Sequence, residues 1–491
     1  MTKSLRSIIQ NIKPIKIVGN ADVIVSDVIC DSRKASKGSL FVAVNGVAVD
    51  AHQFIPDVTK AGAAAIICEH LPQQLCDNVT YVLVSNSSEA LPYVAGEWYD
   101  HPSQHLSLVG VTGTNGKTTT ATLLYEMAEL MGYKAGLLST VRNIIHKTEQ
   151  NAKQTTPDPL TLNKLLHEMV TQGCEYAFME VSSHACVQHR IDGLHFKGAI
   201  FTNLTRDHLD FHKTVDNYIR AKKSFFDGLS ADAFAITNID DKQGLTMVQN
   251  TKAKVLTYSL RALADFKCRI VESRLNGTSL NINGKDLEVM FTGKFNAYNL
   301  TAVYGACTML GWNSDDILVK MSLLVPVAGR FQTFQSPNGY TAVVDYAHTP
   351  DAIINVLSSI KEVMCGKGKI ITVVGCGGNR DTGKRPIMAH EAATRSDKVI
   401  LTSDNPRFED PEAILKDMQA GLDNDTRRKA ITITDRREAI RTACQLANAG
   451  DVVLVAGKGH ETYQEVKGVK HHFDDREVLN DVFADEKAQD N

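Results

Sequence analysis

The sequence predicts an α/β chain of three domains built on mostly parallel sheets. Short runs of branched apolar residues alternate with helix-period stretches along most of the 491 residues. Many of these runs end in glycines, hydroxyls and charged residues, as strands do where a parallel sheet turns its carboxyl edge to a ligand. At about 150 residues per domain the length suits about three units. The expected division is a small N-terminal α/β domain over 1–103, a central mostly parallel-sheet domain over 104–330 and a C-terminal α/β domain over 331–491.

Composition narrows the function classes. With 43% hydrophobic and 22% charged residues and a formal net charge of −3, bulk electrostatic binding to nucleic acid or to an anionic membrane is not expected. The first residues lack the apolar core of a signal peptide, and no stretch reaches 18 apolar residues, so a cytoplasmic protein without membrane insertion is expected. Ten scattered cysteines without a C-x-x-C pair suit reduced, mostly buried thiols and speak against zinc.

In the first domain, strands are expected at 23–30, 39–44, 63–68 and 81–85. Asp31, Ser32 and Arg33 follow the first of these. They could contact a polar ligand, or they could form a turn held by an Asp–Arg pair. The stretch Val49 to Phe54 is equally open.

The central domain begins with LSLVGVTGTNGKTTT, residues 106–120. Leu106, Leu108, Val109 and Val111 suit a buried strand, and Gly110, Gly113 and Gly116 permit a turn that aims backbone N–H groups at an anion. A helix starting near Gly116 adds its positive end. Lys117 supplies a cation for the β/γ-phosphates, and the Thr118 hydroxyl can ligate Mg²⁺. The strict pattern G-x-x-x-x-G-K-[ST] requires glycine at 111, where Val111 stands, so this is a variant P-loop.

The next expected strands deliver Glu180, a candidate acid near Mg²⁺, and the run Asn203 to His212, where two histidines and two aspartates lie close together. His208 and His212 would share a helical face if that segment is helical; a surface loop rich in polar residues is the competing reading. An amphipathic helix over 216–228 buries Tyr218, Ala221, Phe225 and Phe226, while Lys222 and Lys223 read as solvated. A β-rich interval over 253–293 carries turn signals at Asn276-Gly277 and Asn283-Gly284. A helix follows from 293 to about 310, and residues 325–332 read as a linker in which Arg330 could reach a phosphate or could be simple linker polarity.

The third domain repeats the rhythm, with strands expected at 342–345, 370–374, 398–402, 430–434 and 452–456, a Rossmann-like arrangement. Four strands end in reactive residues: Asp345 to Pro350, Gly375 to Asp381, Ser403 to Arg407 and Gly457 to Glu461. Four polar tips at one sheet edge imply a ligand crevice.

Together, Gly110 to Thr119, Glu180 to Arg190, Asn203 to His212, Asp345 to Asp351 and Asp404 to Arg407 resemble the Mur ligases of peptidoglycan synthesis over the whole chain. The resemblance implies ATP-dependent amide formation in cell-wall precursor synthesis. The D-Glu γ-carboxylate of UDP-N-acetylmuramoyl-L-Ala-D-Glu would be joined to meso-diaminopimelate through an acyl phosphate, by a monomeric enzyme. It implies ATP on Gly113, Thr114, Asn115, Gly116, Lys117, Thr118 and Thr119, with Asn299, Arg330, Asp345 and His348 closing over it. The UDP-muramoyl peptide falls to Ser32, Thr155, Thr156, Ser182, Gln188 and Arg190. Mg²⁺ falls to Thr118, Glu180 and His208, with Lys222 as a CO₂-derived carbamate orienting a second ion. Diaminopimelate falls to Arg380, Asp404, Asn405, Pro406, Arg407, Gly457 and Glu461, and Lys117, His208 and Lys222 take catalytic roles. Phe408 and Ala51 depart from the family's usual residues. A folylpolyglutamate-type ligase and a P-loop switch ATPase are the alternatives; the first should lack the D-N-P-R run, and the second gives no reason for four reactive strand tips.

Overall fold

A computed structural model describes residues 1–46 and 49–489. Its three main sheets follow one another along the chain. The first has five strands in the order Lys16–Val18, Thr80–Leu83, Ala65–Cys68, Ser39–Val42, Asp27–Ile29, parallel except for the first, which is antiparallel to its neighbour. The single strand expected over 23–30 is split. Ile24–Val25 pairs with Lys3–Ser4, while Asp27–Ile29 joins the main sheet, and between them the Ser26 N–H donates to the Gly38 carbonyl.

The second sheet has eleven strands, and its parallel centre runs Ala135–Leu138, Tyr176–Glu180, Ser107–Thr112, Gly198–Phe201, Phe234–Asn238, Lys254–Ser259. Side chains alternate between two cores. Val109, Val111, Phe178 and Ile200 fill one face, while Leu108, Ala177, Met179, Ala199 and Phe201 fill the other. Burial on both faces explains why these strands read as apolar runs rather than alternating ones. The turns at Asn276-Gly277 and Asn283-Gly284 join the antiparallel strands Phe266–Arg274, Gly277–Ile282 and Lys285–Val289.

The third sheet runs Gln332–Gln335, Thr341–Asp345, Val452–Ala456, Ile370–Cys376, Lys398–Ser403, Ala430–Thr432. Consecutive strands Thr341–Asp345 and Ile370–Cys376 flank Val452–Ala456, which makes a switch point, and the crevice at such a point is where α/β sheets hold ligands. A two-stranded hairpin, Tyr463–Val466 and Val469–His472, lies beyond the last strand and has no counterpart in the sequence reading.

The units pack on one another. Leu160, from the helix Pro159–Thr171, enters the first sheet's core. Phe295 packs into the third sheet's core and meets Phe331 at a ring distance of 5.7 Å. All ten cysteines are free and most are buried. No described helix is long and apolar enough to cross a membrane.

Candidate active site

The glycine-rich loop leaves the central strand Ser107–Thr112 and opens the helix Lys117–Leu130. Gly116, at φ 87°, is its N-cap, and no side chain caps the first turn. The free N–H groups and the helix dipole therefore point at whatever occupies the loop. A neighbouring strand end braces the loop. The Thr114 N–H donates to the Asn203 carbonyl (2.8 Å) and the Asn115 N–H to Asn203 Oδ1 (3.0 Å), while Thr202 Oγ1 donates to the Asn115 carbonyl (2.7 Å). Gly113 and Gly116 admit no side chain, because a Cβ would run into the Thr202 hydroxyl at the first and lie 2.5 Å from Asn299 Oδ1 at the second. Lys117 folds over its own loop and donates to the carbonyls of Gly113 (2.9 Å) and Thr114 (2.8 Å). Thr118 and Thr119 are buried at the start of the helix.

Glu180 ends the adjacent strand and is buried. Its Oε1 accepts the Thr140 N–H at 2.7 Å, and its Oε2 is buried with no partner. Around it the structure gathers residues from separate segments. Thr156 Oγ1 donates to the Glu180 carbonyl (2.8 Å) and lies 3.4 Å from Ser182 Oγ, and Thr140 Oγ1 donates to Thr155 Oγ1 (3.0 Å). Arg190 donates to the Thr156 carbonyl (2.6 Å), to Gln154 (2.8 Å) and to Gln188 (2.5 Å). Thr140 and Gln154 were not singled out in the sequence; Thr140 lies just after Ala135–Leu138, and its strand-tip position was the available signal.

One expectation needs correction, and one open question is answered. Lys222 is buried rather than solvated: its Nζ donates to the Gly113 carbonyl (2.7 Å) and lies 4.7 Å from the Tyr218 ring centre. Burial, reinforced by Lys117, lowers its pKa well below the usual lysine range. Lys222 shares the Tyr218, Ala221, Phe225 and Phe226 side of its helix, and burial there is offset by the loop carbonyl. His208 and His212 do not share a helical face. His208 has a left-handed backbone (φ 54°) and precedes the four-residue helix Leu209–His212. His212 is buried against Ser183 Oγ (2.8 Å), and the ring of His184 lies within 4.9 Å of His208 and 5.5 Å of His212. Burial drives the pKa of His208 down, against the opposing pull of Asp207.

The linker meets this loop from the other side. Arg330 Nη2 is 3.3 Å from Thr118 Oγ1, its guanidinium stacks 4.4 Å over Tyr346, and its Nε is buried without a partner. Asp345 accepts the Phe331 N–H at 2.7 Å, and burial raises its carboxyl to about 6 despite Arg330. The His348 ring bonds the Tyr346 carbonyl (2.8 Å), and burial together with Lys384 lowers its pKa to about 4. Lys384, absent from the sequence reading, donates to the His348 carbonyl (2.9 Å).

At the third sheet's carboxyl edge most polar groups are bonded to one another, with His460 Nδ1 buried and without a partner. Lys458 is fully buried and donates to Asn405 Oδ1 (3.1 Å) and Glu461 Oε2 (3.2 Å), and Asn405 Nδ2 donates to the same Glu461 oxygen (2.7 Å). Gly457, at φ 115°, leaves room for Asp404, whose Oδ2 would lie 2.7 Å from a Cβ there. Arg407, after Pro406, donates to the Gly378 carbonyl at 2.8 Å and faces Glu465 at 3.4 Å. Arg380 is exposed nearby, with its Cγ 3.9 Å from the position a Cβ would take at Gly377. Burial, followed by Asp404, raises the pKa of Glu461. Phe408 is 73% exposed. Lys458 lay within a strand tip already marked as reactive; Glu465 carried no signal of its own.

In the first unit, Ser32 opens a short 3₁₀ turn that Asp31 caps, and Asp31 pairs with the exposed Arg33 at 2.8 Å. The turn held by an Asp–Arg pair is therefore present. His52 bonds Asp50 through Nδ1 (2.6 Å) and accepts the Glu69 N–H at Nε2 (2.9 Å). Both ring nitrogens are used, which leaves no lone pair for a metal where Asp50, His52 and His70 converge.

Three family models match: the Mur ligase family catalytic domain at 25–103, the Mur ligase middle domain at 111–307 and the Mur ligase glutamate ligase domain at 329–459. A Bacteroides fragilis protein named UDP-N-acetylmuramoyl-L-alanyl-D-glutamate--2,6-diaminopimelate ligase is 58% identical over 480 residues, 98% of this chain and 99% of that one. A solved structure of an enzyme of the same name superposes with a TM-score of 0.71 at 33% identity, covering 99% of this chain and 100% of the other. A folylpolyglutamate synthase from Thermotoga maritima shares the fold over 75% of this chain and 90% of its own, at 14% identity and a TM-score of 0.57. With family models matched in all three units and a relative 58% identical over 98% of this sequence, the chain belongs to the Mur ligase family.

Proposed function

We infer that the chain is an ATP-dependent amide ligase that adds meso-diaminopimelate to the D-Glu γ-carboxylate of UDP-N-acetylmuramoyl-L-Ala-D-Glu, in the making of peptidoglycan precursors. The observation that carries this reading is a full-length relative at 58% identity bearing that name. The D-N-P-R loop and Glu461, at one edge of the third sheet, supply its chemistry.

The dipeptide's γ-carboxylate takes the γ-phosphoryl group of ATP, giving an acyl phosphate, and an uncharged amine of diaminopimelate then attacks the acyl carbon and displaces phosphate. The chain offers no covalent nucleophile for this sequence, so its work is positioning, charge stabilisation and exclusion of water. Gly113 to Thr119 grip the phosphates, and Lys117 exchanges its loop carbonyls for phosphate oxygens. Asn299, Arg330, Asp345 and His348 close the nucleotide pocket. The buried unpartnered Nε of Arg330 and Oε2 of Glu180 support a site completed by an anionic ligand and its cation. Glu180, His208 and Thr118 would hold Mg²⁺, which neutralises phosphate charge, and a neutral His208 has the lone pair a cation needs.

Lys222 is the residue for a CO₂-derived carbamate. A buried amine with a strongly lowered pKa is the unprotonated form that reacts with CO₂, and the product places an anion beside Lys117. Thr155, Thr156, Ser182, Gln188 and Arg190, with Ser32 from the first unit, take the UDP-muramoyl peptide. Arg380, Asp404, Asn405, Pro406, Arg407, Gly457 and Glu461 take diaminopimelate, with Arg407 on its far carboxylate. The same reading makes the enzyme a cytoplasmic monomer.

The test is a coupled assay of ADP release. Release is expected only with both the muramoyl dipeptide and meso-diaminopimelate present. Release without either, or with glutamate replacing diaminopimelate, overturns the assignment.

A further inference from the structure

The hairpin Tyr463–Val466 and Val469–His472 is bound to the loop that carries Arg407. The Arg407 N–H donates to the Glu465 carbonyl (2.9 Å), the Lys467 N–H to the Arg407 carbonyl (2.6 Å), and the Glu465 N–H to Asn405 Oδ1 (2.9 Å). The side chains also meet: Arg407 Nε lies 3.4 Å from the Glu465 carboxylate, each side chain about one-fifth exposed, while Arg407 Nη1 donates to the Gly378 carbonyl at 2.8 Å. The Nε edge and one terminal nitrogen of the guanidinium are thus engaged within the protein. Nη2 is left as the main donor for an incoming carboxylate.

We propose that Glu465 is a specificity-determining residue that tempers how strongly Arg407 demands a far carboxylate on the acceptor amino acid. The proposal rests on the reading of Arg407 as the group that meets this carboxylate. Glu465 and the far carboxylate compete for one guanidinium, so Glu465 weakens the hold on diaminopimelate. It acts in the opposite sense on an acceptor such as lysine, which brings no far carboxylate. Arg407 then stays paired with Glu465 and does not become an uncompensated, half-buried cation. Glu465 narrows the preference from both sides. The loop itself is tied to the hairpin mainly through backbone groups, so Glu465→Gln removes the charge without releasing Arg407.

The experiment measures kcat and KM with meso-diaminopimelate and with L-lysine in the wild type, Glu465→Gln, Arg407→Ala and the double variant, with KM for the UDP-dipeptide as a check on folding. For Glu465→Gln the expected result is an about threefold lower KM for diaminopimelate at unchanged kcat. Its preference over lysine should widen about three- to tenfold, as a partly exposed ion pair permits. In the Arg407→Ala background the same substitution is expected to do nothing, since Glu465 acts through that guanidinium. An unchanged or raised KM in Glu465→Gln, where Arg407→Ala itself raises KM, overturns the proposal alone. So does an effect that persists without Arg407. An unchanged KM in Arg407→Ala overturns the reading of Arg407, and the proposal with it.

Discussion

The carboxyl edges of the central and third sheets are built from the same kinds of side chain and handle them in opposite ways. At the central edge, charged groups are left without partners or are turned back on the loop itself. Glu180 Oε2 and Arg330 Nε are buried and unbonded, and Lys117 and Lys222 both donate to the single carbonyl of Gly113. At the third edge, Asn405, Lys458 and Glu461 form a closed set, and Arg407 is held by Gly378 and Glu465. An unsatisfied buried group is costly unless a ligand completes it, whereas a satisfied network fixes geometry in advance. On the proposed reading, the first edge would make its most important contacts when ATP and its cation arrive, and the second would already be shaped to choose between amino acids that differ by one carboxylate.

The contrast breaks most readily at Lys222. If its amine becomes an anion at the phosphoryl-transfer site, Lys222→Ala should lower kcat by about 100- to 1000-fold, the usual loss when one preorganised charge is removed. KM for diaminopimelate should hardly move. Short-chain carboxylates added to the variant should restore part of the turnover, and failure to restore any would sink the carbamate.

Arg407→Ala should act on the other edge. Diaminopimelate should lose about 2–4 kcal/mol of its advantage over lysine, the scale for an unfilled charged partner, with kcat at saturating acceptor largely kept. Equal losses for both amino acids would mean that the edge is not selective.

The central edge was largely legible in the sequence and the third only partly, for a physical reason. A phosphate loop is local: its glycines, lysine and threonines lie within a few residues, and the strand before it announces where they point. Glu180, Asp345, Asp404 and Glu461 were equally readable because each lies at or just beyond a strand tip. What could not be read is what another segment supplies. Lys222 lies on the same helical stripe as Tyr218 and Phe225, yet only a carbonyl 109 residues away in sequence makes its burial tolerable. The hairpin at 463–472 gave no alternation of apolar and polar residues because none of its strand positions is buried. Without it the Glu465 carboxylate could not be matched to Arg407. The sequence leaves open whether His208 stands on a helix, because its left-handed backbone is a tertiary outcome that His-x-x-x-His spacing does not reveal.

A smaller effect probes the buried carboxyl at the tip of the third-sheet strand Thr341–Asp345, where that sheet meets the nucleotide loop. Asp345 is buried, and its carboxyl lies at about 6 instead of its ordinary 3.8, chiefly through burial. A carboxyl raised in the folded state contributes stability that is fully present below about 3.8 and is lost as pH rises through about 6. Above that pH the ionised group costs up to about 3 kcal/mol. Asp345→Asn keeps an oxygen for the Phe331 N–H while removing the charge. It should therefore melt higher than the wild type at pH 8, with the difference shrinking between pH 6 and 4, even as ATP turnover falls.

Arg33→Ala should do least. Its guanidinium is bonded to Asp31 but its side chain is 87% exposed, and water and salt screen an exposed ion pair almost completely. KM for the UDP-dipeptide and the melting temperature should both stay close to wild type. A severalfold rise in that KM would show that Arg33 leaves Asp31 to reach the nucleotide-sugar. The first unit would then resemble the central edge, with charged groups that exchange protein partners for a ligand.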